Sequence, residues 1–207
     1  MNYEPKKYDL LLGITGFSDQ LLKNHFTLYE GYVANTNKVL ALVKEMTETG
    51  KASTPEYAEL KRRFGWEYNG MRLHELYFGN MVKGGKKMNE GEALAKKIIA
   101  DFGSLEQWAL DFKNTGTMRG IGWVILYHDK ARTNADQTPT NAENAGKLFN
   151  VWVNEHDVGH LAGATPVLVL DVFEHAYMID YGLKKADYIT AFMNVIDWGE
   201  AEKRYKS

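Results

Sequence analysis

Cysteine is absent from this 207-residue chain, which excludes disulfide bonds, thiolate metal ligands and cysteine nucleophiles. A basic excess is also lacking. The net charge is -2, and this argues against nucleic-acid binding because no surplus positive charge is available to neutralise phosphates. No apolar run approaches the length of a membrane span, and the N-terminal residues lack the hydrophobic core of an export signal. We therefore expect a cytoplasmic enzyme with neither a nucleic acid nor a membrane as partner.

Apolar residues make up 44% of the sequence, enough for a sizeable core in one domain or in two joined halves. In the first third of the chain they recur at helical spacing. One long helix is predicted from Ser18, its cap, to about Gly50, with a break near Gly31. A capping signal at residues 53–56 opens a second helix that continues to Tyr77. Together the two predict an antiparallel αα-hairpin.

The second part of the chain mixes helix and strand patterns. Gly84 and Gly85 are the most linker-like point, and we place a domain boundary there: residues 1–84 form a helical hairpin domain and residues 85–207 an α+β domain. Beyond the linker the predicted elements are helices at 90–102 and 104–115, strands at 123–127, 148–153 and 167–170, a polar connector at 129–144, and helix from 174 to 205. The predicted fold is α+β, a long helical hairpin followed by a half with a small three-stranded antiparallel sheet.

Asp171 stands directly after the apolar run 167–170 and four residues before His175. A carboxylate placed after so apolar a strand is costly to bury without a partner, and a metal ion is the natural one. The spacing alone is weak evidence, because a surface aspartate with a histidine in the next turn gives the same pattern.

Two further imidazoles strengthen the metal hypothesis. His25 lies on the apolar face of the first predicted helix and His74 on that of the second. Helical bundles build internal metal sites from side chains on facing helices, such as one histidine from each arm of a hairpin. A single histidine on an apolar face, however, is more often a core residue.

The amino-acid sequence around these residues resembles that of one protein family. The segment 171–177, Asp-Val-Phe-Glu-His-Ala-Tyr, is similar to the C-terminal metal signature of the iron/manganese superoxide dismutases, with Phe173 in place of a tryptophan. Residues 74–78 resemble the family's second ligand segment, and residues 119–123 its Gly-Ser-Gly-Trp before the first strand. The resemblance extends from about residue 20 to the end.

The resemblance implies a metal site between the two halves, formed by His25, His74, Asp171 and His175. A gapless alignment anchored on Tyr32 would place Asn24 in the first ligand position; we assign His25 with a one-residue deletion. Nitrogen and oxygen donors without sulfur suit iron or manganese. One such ion per chain is expected, and the sequence does not choose between the two.

Around this site the resemblance implies two catalytic residues. Tyr32 would guard the substrate channel, and His156 would donate a hydrogen bond from outside the ligand set, with Glu155 and His160 as open alternatives. Trp123, Phe173 and Tyr77 would form an apolar wall.

The function implied is dismutation of superoxide into dioxygen and hydrogen peroxide by a redox-cycling ion. The alternative is a metal-binding or structural dimer of the same fold with weak or no activity. The resemblance also implies a homodimer or homotetramer, with an interface near Glu174 and Tyr177.

Overall fold

A computed structural model describes residues 2–130 and 146–207. The chain begins with an arm that carries one 3-10 turn, Asp9–Leu11. The helices that follow are α1 (Asp19–Glu48), α2 (Pro55–Gly79), α3 (Ala93–Phe102), α4 (Leu105–Thr117), α5 (Met178–Tyr181), α6 (Lys185–Met193) and α7 (Trp198–Lys206). The strands are β1 (Gly122–Asp129), β2 (Lys147–Asn154) and β3 (Thr165–Asp171). The predicted α+β fold is confirmed. Most of the predicted polar connector 129–144 lies outside the described residues.

The helical hairpin begins where the capping residues predict. Ser18 accepts a hydrogen bond from the Leu21 amide at 3.1 Å, and Thr54 caps α2 in the same way, with Pro55 in its first turn. The break predicted near Gly31 is wrong, because α1 runs as one helix of 30 residues. A glycine inside a helix costs about 1 kcal/mol relative to alanine, and the long buried face that α1 packs against α2 outweighs this penalty.

The three strands form an antiparallel sheet in the order β2-β1-β3. Strand β1 is central and is buried from Gly122 to His128. Its register places Trp123 opposite Asp171 of β3 and Gly122 opposite Asn154 of β2. The end of the sheet that carries Asp171 therefore also carries the start of the loop that follows β2.

After β3 the chain is helical only in pieces, which corrects the prediction of continuous helix from 174 to 205. A 3-10 turn at Glu174–Ala176 leads into α5, and Gly182, at a φ of 54°, ends α5. The segment between α6 and α7 bonds to the residues that follow α2: Val82 donates to the Val195 carbonyl at 2.8 Å and Asp197 to the Asn80 carbonyl at 2.9 Å.

Asn80, which follows α2 directly, links that helix to the sheet. Its buried side-chain amide accepts from the Val169 backbone N–H at 2.9 Å and donates to the Val169 carbonyl at 3.2 Å. It also donates to the Tyr77 carbonyl at 2.7 Å. Two elements that carry candidate ligands, α2 with His74 and β3 with Asp171, are thus fixed to each other by direct hydrogen bonds. In the described ranges, no helix is both long and apolar enough to cross a membrane.

Candidate metal centre

Asp171 is fully buried at the end of β3, after four buried apolar residues. One carboxylate oxygen, Oδ1, accepts a hydrogen bond from the Phe173 backbone N–H at 2.8 Å. The second oxygen, Oδ2, faces three histidines. The strand and the turn after it therefore point a charged group into the interior between the helical hairpin and the sheet.

Three imidazoles surround this carboxylate. The Nε2 atoms of His25, His74 and His175 lie 3.2, 3.6 and 3.2 Å from Asp171 Oδ2. One candidate ligand atom from each of the four residues lies within 4.8 Å of every other. His25 and His74 are buried, whereas the His175 side chain is 28% exposed. We call these four residues the His/Asp cluster.

Several nitrogen atoms of the cluster have no hydrogen-bond partner in the part of the chain that the structure describes: both ring nitrogens of His25 and Nε2 of His74. His25 Nε2 is close to Asp171, but not in hydrogen-bonding geometry. The other nitrogen of His74, Nδ1, lies 2.6 Å from the Gly70 carbonyl. Because a carbonyl can only accept, Nδ1 carries the proton and Nε2 keeps a free lone pair.

The electrostatics of the cluster favour a bound cation. Burial lowers the pKa of His25 and lowers that of His74 well below its ordinary value, so both rings are neutral near pH 7. Burial acts to raise the pKa of Asp171, but the neighbouring His175 and His25 hold it below its usual range. His25 and His74 therefore bring no compensating charge to this buried carboxylate, and their unpaired nitrogen atoms lie beside it. These residues fit a metal ion.

Asn24, the alternative first ligand, lies elsewhere. It is exposed on α1 and accepts a hydrogen bond from Gln20 Nε2 at 2.7 Å. His25, one residue further, faces α2, and its ring lies 4.9 Å from that of His74. The rotation of about 100° per residue along a helix explains why only one of the two neighbours can face the interior.

Beside the cluster, His156 joins two residues through its ring nitrogens. Trp123 Nε1 donates to His156 Nδ1 at 3.1 Å, and His156 Nε2 lies 2.8 Å from the Tyr32 hydroxyl. Burial lowers the pKa of His156 to about 4, so the ring is neutral near pH 7. Because tryptophan only donates, Nδ1 must accept, Nε2 carries the proton, and His156 donates to the Tyr32 oxygen. We call this row the Trp123–His156–Tyr32 chain.

The alternatives to His156 occupy other positions. His160 bonds to the Tyr127 hydroxyl at 2.6 Å and to the His156 carbonyl at 2.9 Å, so its ring supports the loop. Glu155 has a φ of 51°, an uncommon conformation for a residue other than glycine. This conformation bends the chain at the end of β2 directly before His156.

Tyr32 lies against the ligand-bearing face of α2. Its ring stacks on His74 with 5.2 Å between centroids. Burial, followed by the charges of Asp171 and Glu67, raises its pKa to about 12. The hydroxyl is therefore protonated at neutral pH, and because it accepts from His156 its own proton is available to another acceptor.

Aromatic rings enclose the cluster. Trp123, Phe173 and Tyr77 lie 5.0, 5.2 and 5.4 Å from the rings of His74, His175 and His25. The sequence reasoning missed Trp66, whose ring contacts that of His156 at 4.8 Å. It also did not predict that Gly70 is required for packing: a Cβ there would lie 2.5 Å from the Tyr32 ring. Trp66 falls four residues before Gly70, and that helical spacing was the available signal.

Three imidazoles and one carboxylate around a common point define a protein whose site fits one metal ion. Residues 89–204 match the iron/manganese superoxide dismutases, C-terminal domain. The whole chain is 36% identical to a manganese superoxide dismutase of Haloferax volcanii, of which it covers 96%.

Iron enzymes are comparably similar. Identity is 37% to an iron superoxide dismutase of Cupriavidus metallidurans, over 93% of this chain and 90% of the relative. It is 34% to that of Aquifex pyrophilus, over 98% of this chain and 91% of the relative. The chain therefore belongs to the iron/manganese superoxide dismutase family, and the resemblance found in the sequence is confirmed.

Proposed function

We propose that the protein is an oxidoreductase that converts superoxide to dioxygen and hydrogen peroxide, with one iron or manganese ion held by His25, His74, Asp171 and His175. The observation that carries this proposal is the His/Asp cluster itself: four donor atoms within 4.8 Å of one another, in a chain similar over its whole length to dismutases of both metals.

Iron or manganese, when bound, supplies the alternation between two and three positive charges that dismutation requires. The protein contributes the charge that balances it. Asp171 places one negative charge among three imidazole rings, which favours the more highly charged state of a cation there. The aromatic wall surrounds the buried carboxylate with apolar rings, so that this charge acts in a medium of low dielectric constant.

Dismutation also consumes protons: two superoxide ions and two protons give one dioxygen and one hydrogen peroxide. Tyr32 holds a proton at its hydroxyl next to the cluster, and His156 fixes the orientation of that hydroxyl by donating to its oxygen. Trp123 in turn fixes the tautomer of His156. We assign Tyr32 the role of proton donor and His156 the role of orienting it.

Metal content and superoxide turnover, measured on the same preparation, test the proposal. We expect about one iron or manganese per chain and turnover that scales with metal content. Bound metal without turnover would favour the alternative, a metal-binding protein of the same fold with weak or no catalysis. Reconstitution of the metal-free protein with each metal separately shows which one supports turnover.

Three finer points complete the proposal: a cytoplasmic location, a boundary between domains near residue 84, and a homodimer or homotetramer with Glu174 and Tyr177 at its interface. Glu174 is exposed next to His175, and Met178 and Ile179 are exposed apolar residues on the same segment. A face of this kind suits contact with a second copy. Sedimentation of the protein and of Ile179→Asp tests the assembly, and a monomeric unmodified protein would contradict it.

A further inference from the structure

The N-terminal arm contacts both helices that carry histidines of the cluster. Its first described residues, 2–8, form neither helix nor strand, but they bond to α1 and to α2. On α1, the Asn37 side-chain amide accepts from the Tyr3 backbone N–H and donates to the Tyr3 carbonyl, both at 2.9 Å. On α2, the Glu75 carbonyl accepts from the Tyr8 hydroxyl at 3.5 Å. This segment is therefore bonded to the hairpin near both of its ends.

Between these contacts, three residues are bonded to one another in a closed triangle. The Lys6 backbone N–H donates to the Tyr29 hydroxyl at 2.9 Å, and this hydroxyl donates to Glu75 Oε1 at 3.1 Å. Lys6 Nζ lies 3.0 Å from Glu75 Oε2. The arm, α1 and α2 each contribute one residue, so the arm and the two helices are joined at one point. We call these residues the Lys6–Tyr29–Glu75 triangle.

The polar atoms of this buried triangle depend on one another. Tyr29 is fully buried and Glu75 is 8% exposed. A buried hydroxyl or carboxylate is costly unless it is hydrogen-bonded or paired. Lys6 supplies both a backbone donor and a positive charge, and Arg72 also pairs with the Glu75 carboxylate. Loss of the Tyr29 hydroxyl would leave Glu75 Oε1 and the Lys6 backbone N–H without a partner among the described residues.

The triangle lies next to two ligands of the proposed metal site. Tyr29 follows His25 by four residues, so that both lie on one face of α1, and its ring is 6.4 Å from that of His74. Glu75 directly follows His74 on α2. The hydrogen bond from Tyr29 to Glu75 therefore sets the spacing between the two helices at the level where the rings of His25 and His74 come together.

An aromatic contact connects the same arm to the cluster. The Tyr8 ring lies 4.9 Å from the ring of Phe78, which is buried. The Phe78 ring in turn lies 4.9 Å from that of His25 and 6.0 Å from that of His74. Protein interiors are close-packed and transmit displacements, so a change in the position of the arm reaches both histidines.

His25 depends on such support more than His74 does. Metal-binding histidines are usually oriented by a hydrogen bond from the ring nitrogen that does not bind the ion, as His74 is by its bond to the Gly70 carbonyl. Neither ring nitrogen of His25 has such a partner in the described ranges. The orientation of His25 is therefore fixed by packing and by the position of α1 against α2.

We infer that the Lys6–Tyr29–Glu75 triangle positions His25 and His74 and thereby slows the release of a bound metal ion. The three residues contribute no donor atom to the His/Asp cluster, so they act through the ligands. The inference rests on the proposed function in taking the cluster as a metal site, and it adds which residues outside the cluster control how firmly the metal is held. It does not depend on superoxide turnover.

Release of cobalt(II) tests the inference, because cobalt(II) binds nitrogen and oxygen donors more tightly than manganese(II) or iron(II) does, and its visible absorption reports ligand geometry. Tyr29→Phe keeps the ring and removes the hydroxyl that joins Lys6 to Glu75. We expect this variant to release cobalt to a chelator on the order of tenfold faster than the unmodified protein, as for other groups that orient metal ligands, and its absorption bands to shift. Lys6→Met, which keeps the backbone bond, should give a smaller increase.

Two controls separate positioning from general damage to the fold. Lys7→Met removes the neighbouring lysine, which pairs with Glu30 at 2.9 Å outside the triangle, and it should release cobalt at the unmodified rate. Val39→Ala removes packing at a buried residue of α1, about 15 Å along the helix from Tyr29. It should lower the melting temperature without changing the release rate or the absorption bands.

An unmodified release rate and spectrum in Tyr29→Phe overturn the inference, as does equally fast release from Val39→Ala. Should Tyr29→Phe not fold, Lys6→Met carries the test, because the Lys6 side chain is 59% exposed; a release rate equal to that of Lys7→Met then overturns the inference. Failure of the proposed function would look different, because cobalt would be held as described while the iron- or manganese-loaded protein showed no superoxide turnover.

Discussion

The His/Asp cluster and the Trp123–His156–Tyr32 chain stand side by side and use similar side chains, but they differ in how their polar atoms are satisfied. In the cluster, buried nitrogens of His25 and His74 have no partner among the described residues. In the Trp123–His156–Tyr32 chain, both ring nitrogens of His156 are hydrogen-bonded. An imidazole with a free lone pair is ready to accept an ion, whereas an imidazole bonded on both sides is fixed as an orienting group. The difference in hydrogen bonding therefore distinguishes histidines that could bind a metal from a histidine that orients Tyr32, without reference to any relative.

The largest effect is expected from breaking the cluster. Replacing His74 or Asp171 with alanine removes one of four donors, and we expect at least tenfold weaker metal binding and a matching loss of turnover. Metal analysis after dialysis against a chelator measures the first, and a superoxide assay the second. Full retention of metal by either variant would contradict the ligand assignment.

The Trp123–His156–Tyr32 chain should add its own response to acid to that of the buried histidines in the cluster. His156 stays neutral in the folded protein down to about pH 4, whereas an unfolded histidine takes up a proton near pH 6.5. Between these values the unfolded state binds more protons, so the free energy of unfolding falls as the pH is lowered. His156→Gln does not titrate and should remove about 3 kcal/mol of that fall.

Denaturant unfolding of the metal-free protein at pH 7 and at pH 4 measures this difference, with the unmodified protein as reference. The other buried histidines are common to both proteins, so their contributions cancel. An equal loss of stability on acidification in both proteins would show that His156 is not held neutral.

A packing change next to Tyr32 should disturb the Trp123–His156–Tyr32 chain without changing metal binding by the His/Asp cluster. Gly70→Ala introduces a Cβ 2.5 Å from the Tyr32 ring, so the ring must shift, which disturbs its hydrogen bond with His156. We expect about 2 kcal/mol of destabilisation and reduced turnover with metal content unchanged. The matched control is Gly65→Ala on the same helix, where no described atom lies within 4 Å of the added carbon. If both variants behave alike, Gly70 is not a packing requirement.

The smallest effect is expected outside both groups. Gly31 lies within the continuous helix α1, is exposed, and has no described atom within 4 Å of an added Cβ. Gly31→Ala should therefore stabilise the protein by about 1 kcal/mol, without change in metal content or turnover. Chemical denaturation measures the shift. A loss of stability would indicate that the helix needs flexibility at this residue.

The elements whose ends are set by local chemistry could be predicted from the sequence. Ser18 and Thr54 cap α1 and α2 as expected, because a cap depends on residues three apart in the chain. The position of Asp171 after an apolar strand could also be predicted, because that pattern lies within one short stretch of the sequence. That three distant histidines meet it came from the family resemblance, since no local pattern determines which faces of two helices and a sheet will converge.

The features that the sequence did not predict depend on contacts between secondary-structure elements. The break at Gly31 was expected from its residue type alone, while the packing that keeps α1 continuous involves α2. Gly70 looked unremarkable because its role is set by the Tyr32 ring on the other helix. The residues after Glu174 looked uniformly helical, and their division follows from Gly182 and from the backbone bonds that the segment 194–197 makes to Asn80 and Val82.

The side-chain amide of Asn80 has a consequence for how the metal enters. It bonds to both backbone groups of Val169, two residues before Asp171, and so sets the offset between α2 and β3 through contacts that involve no ion. The positions of these donor atoms therefore depend in part on hydrogen bonds that involve no ion, which preorganises the site for its metal. Because nitrogen and oxygen donors without sulfur suit iron and manganese alike, the ion that the cell makes available should decide which of the two is bound.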